Sequence, residues 1–357
     1  FELTEFPDPN VTIASFNAIG ALLVSLFPFR SQELILSFKN TLSSLEVSPS
    51  TSCAVIATFV FLSHHVSDNS ISHFIDSTPI FPHFGADLRM FIHHIPNLIE
   101  QMDRLNMEFH QALLRSLISS FGRSPVSSFI ESVMLLLKRF PNKLLSDLME
   151  FIESNKLEDT LLSVGGPILN NTTFSELLSI QQKYTFLNTL KRKLFISKSK
   201  NTSESDGNAT ITSFDFNESD YEIQTEITTT ELEQTISIIS GLKKQSEEEL
   251  KIAVDKMADA IWNQRNKLKS VFQRILFPLA KTVDELRPKK DDSSNEMSKK
   301  IMALSNLENT NDDEILAICE PFIDIRDECF ISVMSFLSKS MKEKCYRLVK
   351  KLFEKDD

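Results

Sequence analysis

Residues 105–140 read LNMEFHQALLRSLISSFGRSPVSSFIESVMLLLKRF. In the first half Phe109, Leu113, Leu117 and Phe121 recur every fourth residue, which places them on one stripe of a helix. Gly122 stands where a left-handed C′ residue would end that helix. Ser124 is positioned to cap a second helix, and Pro125 suits its first position, where no N–H is needed. Val126, Phe129, Ile130, Val133, Leu137 and Phe140 then follow the helical rhythm again. The stretch predicts an αα-hairpin.

The same pattern extends outward. Pro141 announces a third helix with Leu144, Leu145, Leu148, Phe151 and Ile152 on one face. Upstream, helices are expected over 10–27, 31–46, 50–65 and 86–95, with shorter pieces near 70–76 and 97–104. Ser48-Pro49 repeats the cap-plus-proline device. Downstream, helices are expected near 156–163, 173–180 and 182–197, and Gly165-Gly166 before Pro167 reads as a helix-breaking turn. Phe-Pro pairs at 6–7, 27–28, 81–82, 140–141 and 277–278 mark helix ends or kinks, because proline disfavours the α conformation of its predecessor. Their spacing is unequal, which argues against a regular repeat but not against a degenerate one.

Composition agrees. The chain has seven glycines in 357 residues, against roughly 7% in average proteins. Sheets, barrels and phosphate loops use glycine freely, and helices do not. From 201 to 235 the character changes: nine acidic residues, no Lys or Arg, and many Ser, Thr and Asn. Such a stretch buries too little apolar surface to offset the entropy of ordering, so it reads as a flexible acidic linker. The β-branched content around Ile223 to Thr230 would suit a short strand. Helical patterning resumes near Thr230 and includes a charged helix or helix pair over 245–281, a helix at 296–307 and one opened by Asn311. Cys329, Val333 and Leu337, then Met341, Cys345, Leu348 and Leu352, read as the closing core stripes. The expected organisation is an N-terminal helical array (1–200), the linker (201–235) and a C-terminal helical region (236–357).

Little in the sequence points to chemistry. The seven histidines include two His-His doublets, whose members sit about 100° apart on a helix, with no acidic residue to complete a ligand set. They read as helix-end or partly exposed imidazoles. The sole Gly doublet lacks the following Lys of a phosphate loop, and no GxSxG elbow occurs. Cys53, Cys319, Cys329 and Cys345 lie within apolar helical patterns without CxxC spacing, as reduced core thiols would in a reducing compartment. Neither enzyme activity nor a cofactor or metal is expected. A net charge of −11 without a dense basic tract argues against nucleic acid as a partner. Both of the longest apolar runs, 18–29 and 53–62, fall short of the roughly 20 residues a spanning helix needs. The first residue is Phe1, and the chain reads as a fragment or a processed product.

Trp262, the single tryptophan, reads as a core or domain-packing residue or as an interface anchor. Arg265, Lys267, Lys269 and Arg274 begin a basic stretch that runs to 290. They would form a solvated face, or meet anionic lipid or the acidic linker.

The N-terminal three-fifths resembles an irregular armadillo- or HEAT-type array of stacked helix pairs, and the fold class expected is all-α, an irregular α-solenoid with a further C-terminal helical region. Trp262, Arg265, Arg274 and Pro278, in a charged helical stretch after an acidic linker, are similar to the run that precedes the PH-like and BEACH modules of very large trafficking scaffolds. The BEACH core, the PH-like sheet and the WD repeats of those proteins have no counterpart in these 357 residues. The resemblance implies a cytoplasmic, non-enzymatic scaffold or adaptor that binds other proteins, with Trp262, Arg265, Lys267, Lys269 and Arg274 as partner-binding residues. The alternative it implies is a peripheral membrane or vesicle-trafficking module touching anionic lipid through 265–290.

Overall fold

A computed structural model describes residues 47–65, 81–198 apart from 104, 214, 216–289 and 292–304, with isolated positions between 11 and 42 and at 307, 317 and 318. The helices expected around Asn311, Cys329 and Cys345, and the piece near 70–76, lie outside the described residues. Of the described residues 76% are helical, so the fold is all-α. The chain divides into two compact units, Phe1–Gln182 and Lys183–Asp357.

In the first unit, helix α1 (Pro49–His65) is followed by two 3-10 helices, Phe81–Gly85 and Arg89–His94. Then come α2 (Ile95–Glu100), α3 (Met107–Phe121), α4 (Ser127–Arg139), α5 (Pro141–Ser154), α6 (Glu158–Leu169) and α7 (Thr172–Leu177). The Asn106 side chain caps α3 by accepting from the Phe109 N–H at 3.4 Å, and the predicted stripe of Phe109, Leu113, Leu117 and Phe121 is buried. Phe109 stacks on Phe59 of α1 and on Phe81, with ring centroids 5.1 and 4.8 Å apart. From α3 onward each helix packs on the next and on the next but one: α3 on α4 and α5, α4 on α5 and α6, α5 on α6 and α7.

Three local expectations differ. Gly122 adopts φ −58°, a right-handed conformation. What selects glycine is space, because a Cβ there would lie 2.6 Å from the Ile118 carbonyl oxygen and 2.8 Å from a Leu157 methyl. Ser124 does not cap α4: extended Val126 takes the N-cap position, with no side-chain bond to the first turn. Gly165, Gly166 and Pro167 sit inside α6, where both glycines are buried, rather than in a turn that ends it.

In the second unit, α8 (Ile180–Leu194, its first turn crossing the unit boundary) runs directly into strand β1 (Phe195–Ser197). Strand β1 pairs antiparallel with β2 (Tyr221–Ile223), Ile196 opposite Glu222. Five α-helices then follow among the described residues: α9 (Thr229–Lys243), α10 (Glu248–Asn263), α11 (Ser270–Ile275), α12 (Val283–Leu286) and α13 (Ser294–Leu304). The stretch read as linker is therefore structured from 216 to 235. Phe216, Ile223, Ile227 and Leu232 are buried there, and Phe216 stacks on Tyr221 and packs tilted against Phe195, with centroids 5.1 Å away in each case. A few well-placed apolar residues outweigh the acidic average of the segment. Thr228 and Glu231 close a capping box at the head of α9.

Candidate functional site

The residues singled out by sequence lie where α10 ends and the chain turns into α11. Trp262 occupies the last turn of α10 and is buried. Its indole Nε1 donates to Glu285 Oε1 at 2.7 Å. Glu285 is also the closing residue of the capping box of α12, and its Oε2 accepts from the N–H groups of Lys281 and Thr282, both at 3.0 Å. Burial pushes the Glu285 carboxyl up, but the hydrogen bonds from Trp262, Lys281 and Thr282 outweigh it and hold the group below its ordinary value. The Arg265 guanidinium lies 4.0 Å above the indole ring, and its Nη1 donates to the Trp262 carbonyl at 2.7 Å. Trp262 thus packs inside this unit, with its polar atom bonded to Glu285 and one ring face covered by Arg265.

The other cations have separate partners. Lys267 Nζ donates to Glu222 Oε1 of β2 at 3.0 Å, and that bond holds the Glu222 carboxyl below its ordinary value. Lys269 lies 5.9 Å from the Phe272 ring. Arg274 pairs with Glu296 of α13 at 3.1 Å, Lys281 with Asp259 of α10 at 2.5 Å, and Arg287 with Asp284 at 3.3 Å. Trp262 and Arg265 therefore form one cluster, and Lys267, Lys269 and Arg274 do not join it. Gln264 was not singled out by sequence. Its Oε1 accepts from the Ile223 N–H at 2.9 Å and its Nε2 donates to the Tyr221 carbonyl at 3.3 Å, so its amide continues the outer edge of β2 as a third strand would. Nothing in a lone Gln near a helix end could have signalled that.

Two of the histidines differ from the expected exposed or helix-end imidazoles. His83 and His110 are buried, and burial lowers the pKa of each. His110 shares a 2.9 Å hydrogen bond with the Asn106 carbonyl through Nδ1 and stacks edge-on against Phe140. Its Nε2 has no partner among the described residues. Cys53 is a free, buried thiol pushed up to about 12 by burial, an inert core residue. Among the described residues no group of three His, Cys, Asp or Glu side chains could hold a metal ion.

One surface feature was missed altogether. At the turn from α3 into α4 an open cleft of about 830 Å³ lies between that turn, the Arg89–His94 helix and the end of α5. Its polar lining includes Arg89, His93, Arg123, Ser124, Ser127 and Ser128, with apolar contacts from Val126, Phe151 and Leu157. The signal available in the sequence was Arg123-Ser124-Pro125, which the capping pattern accounted for too readily.

Compared with known proteins, the chain matches no family model and no curated sequence.

Proposed function

We propose that the chain is a non-enzymatic scaffold or adaptor that binds other proteins along an irregular α-solenoid of armadillo- or HEAT-like helix pairs, with the second unit as a further helical region. The observation that carries this reading is the packing order of α3 to α7, in which each helix touches the next and the next but one. That succession of local contacts characterises stacked helical repeats, which build long binding surfaces from units too short to be stable alone. The net charge of −11 favours basic or neutral partners over nucleic acid, and a cytoplasmic location belongs to the same reading. Among the described residues no helix is long and apolar enough to cross a membrane.

The peripheral-membrane reading draws less support. A lipid-facing basic stripe needs cations free to meet headgroups, whereas Arg265, Lys267, Arg274, Lys281 and Arg287 each have an internal partner. Affinity capture of the full chain followed by cross-linking mass spectrometry tests the proposal. Reproducible partners cross-linked to the exposed lysines of α4 and α5 and of the turn after them, Lys138, Lys143 and Lys156, are expected. Recovery of the chain alone, together with co-flotation on anionic vesicles, would replace it with the membrane reading.

A further inference from the structure

We infer that the cleft at the α3–α4 turn is a docking site for a phosphorylated serine or threonine in a partner peptide, with an apolar residue of the same peptide seated beside the phosphate. The inference rests on the scaffold reading and names the chemistry of one of its contacts.

Charge and hydrogen-bonding capacity carry the argument. Arg123 is exposed, lines the cleft and has no partner among the described residues. Its guanidinium has all five donors available for a planar, bidentate contact with phosphate oxygens. Arg89 faces the same space. It gives Nε to Asp87 Oδ2 at 2.8 Å and pairs with it through Nη2, so it contributes donors with little net charge. Asp87 itself is not part of the lining, which among the described residues contains no carboxylate. Behind the guanidiniums lies the N-terminus of α4. Phe129 and Ile130 both donate to the Val126 carbonyl, at 3.0 and 3.1 Å. The N–H groups of Ser127 and Ser128 have no earlier turn to bond to, and Val126 supplies no capping oxygen. The end of a 13-residue helix carries roughly half a positive charge.

A phosphorylated side chain bears about −1.5 to −2 at neutral pH with three strong acceptor oxygens. It matches one free guanidinium, one shared guanidinium and a helix terminus better than a carboxylate does. The apolar requirement follows from Val126, which is 42% exposed, with half-buried Phe151 and Leu157 next to it. The cleft volume also falls within the range of roughly 300–1,000 Å³ usual for ligand sites.

Fluorescence polarisation of the full chain with a degenerate pool of phosphoserine and phosphothreonine peptides is the test. The same pool unphosphorylated, and with Glu at the modified position, provides the controls. Saturable binding of the phosphorylated pool alone is expected, and Arg123→Ala should weaken it about tenfold or more. Val126→Asp separates binding from folding, because an aspartate at the N-cap strengthens α4 while placing a carboxylate on the anion position. A raised melting temperature with binding lost is the expected pair of results. Equal binding of the Glu or unphosphorylated pool, no binding of any pool, or full binding by both variants would overturn the inference. Phosphatase treatment that leaves partner recovery unchanged would also overturn it while the scaffold reading stands. Capture of no partner at all would remove the scaffold reading itself.

Discussion

In the stack from α3 to α7 the helices meet chiefly through apolar side chains at helical spacing, whereas from Lys183 to Glu285 a buried apolar core is supplemented by polar joints between elements 23 to 64 residues apart in sequence. Lys183 Nζ meets Glu247 Oε1 at 2.7 Å, Gln264 braces β2, and Trp262 meets Glu285. The two modes differ in what a single substitution does. A stripe spreads its contribution over many contacts and leaves a cavity when cut. A polar joint concentrates it in one or two bonds and leaves an unsatisfied group.

Phe109→Ala tests the first mode at its strongest point. Phe109 is fully buried between Phe59 and Phe81, so its loss should cost about 3–5 kcal/mol in chemical denaturation. A cost below about 1 kcal/mol would mean that α1 and α3 do not share a core. Lys183→Met tests the second mode. The Lys183 side chain is 5% exposed and the Glu247 side chain 31%. Water can therefore reach part of the orphaned carboxylate, and the loss should be about 2–3 kcal/mol, below that of a fully buried pair. Adding Glu247→Gln should recover most of it. If the double variant is no better than the single, the pair contributes through packing and not charge. Gln264→Ala comes next, at about 1–2 kcal/mol. It should speed amide exchange at Ile223, whose N–H loses its only acceptor, while leaving α10 protected.

The contrast between regions also explains what the sequence made legible. Apolar period 3.6 is written directly in Phe109, Leu113 and Leu117, so α3 to α5 and most of their buried faces follow from it, although Val126 of the same pattern is exposed. A joint such as Trp262 to Glu285 has no period. Neither residue announces the other across 23 positions; of the partners expected for the basic residues nearby, the acidic segment is the one Lys267 meets, at Glu222, while Arg274 pairs with Glu296. The segment 201–235 misled for a related reason. Its acidic average concealed Phe216, Ile223 and Ile227, which are few but buried. The α3–α4 cleft was invisible because Ser124-Pro125 matches a capping signal that extended Val126 pre-empts.

Acid should separate the two regions in a definite order. The pKa of His110, like that of His83, is lowered from 6.5 in the fold, chiefly by burial, with Arg139 adding to the effect at His110. The unfolded chain therefore binds the proton first, and stability of the first unit is complete above about pH 6.5 and falls as the pH drops below it. In the second unit Glu247 and Glu285 are held below their ordinary 4.5 because hydrogen bonds outweigh burial. Their contribution is present above that value and is lost as the pH falls through it. Hydrogen exchange at pH 7, 6 and 5 should show loosening around α3 and not around α10, and His110→Leu should flatten the response. Loosening of both regions together at pH 6 would break the distinction.

The smallest effect expected is a gain. Lys156, just past the end of α5, has φ 52° and is the only non-glycine residue with positive φ among those described. It is held there because the Leu157 N–H reaches back to the Ile152 carbonyl at 3.0 Å, closing the helix in the manner of a Schellman turn. A side chain in that conformation costs roughly 1–2 kcal/mol, partly offset in the folded balance by the greater freedom glycine has when unfolded. Lys156→Gly should therefore stabilise the first unit by about 0.5–1 kcal/mol. Gly122 presents the converse: its φ suits any residue, but Leu157 leaves no room for a Cβ. Both positions are governed by the placing of Leu157, one through its backbone and the other through its side chain. A denaturation midpoint that falls in Lys156→Gly would show that the lysine side chain contributes more to this corner than its backbone conformation costs.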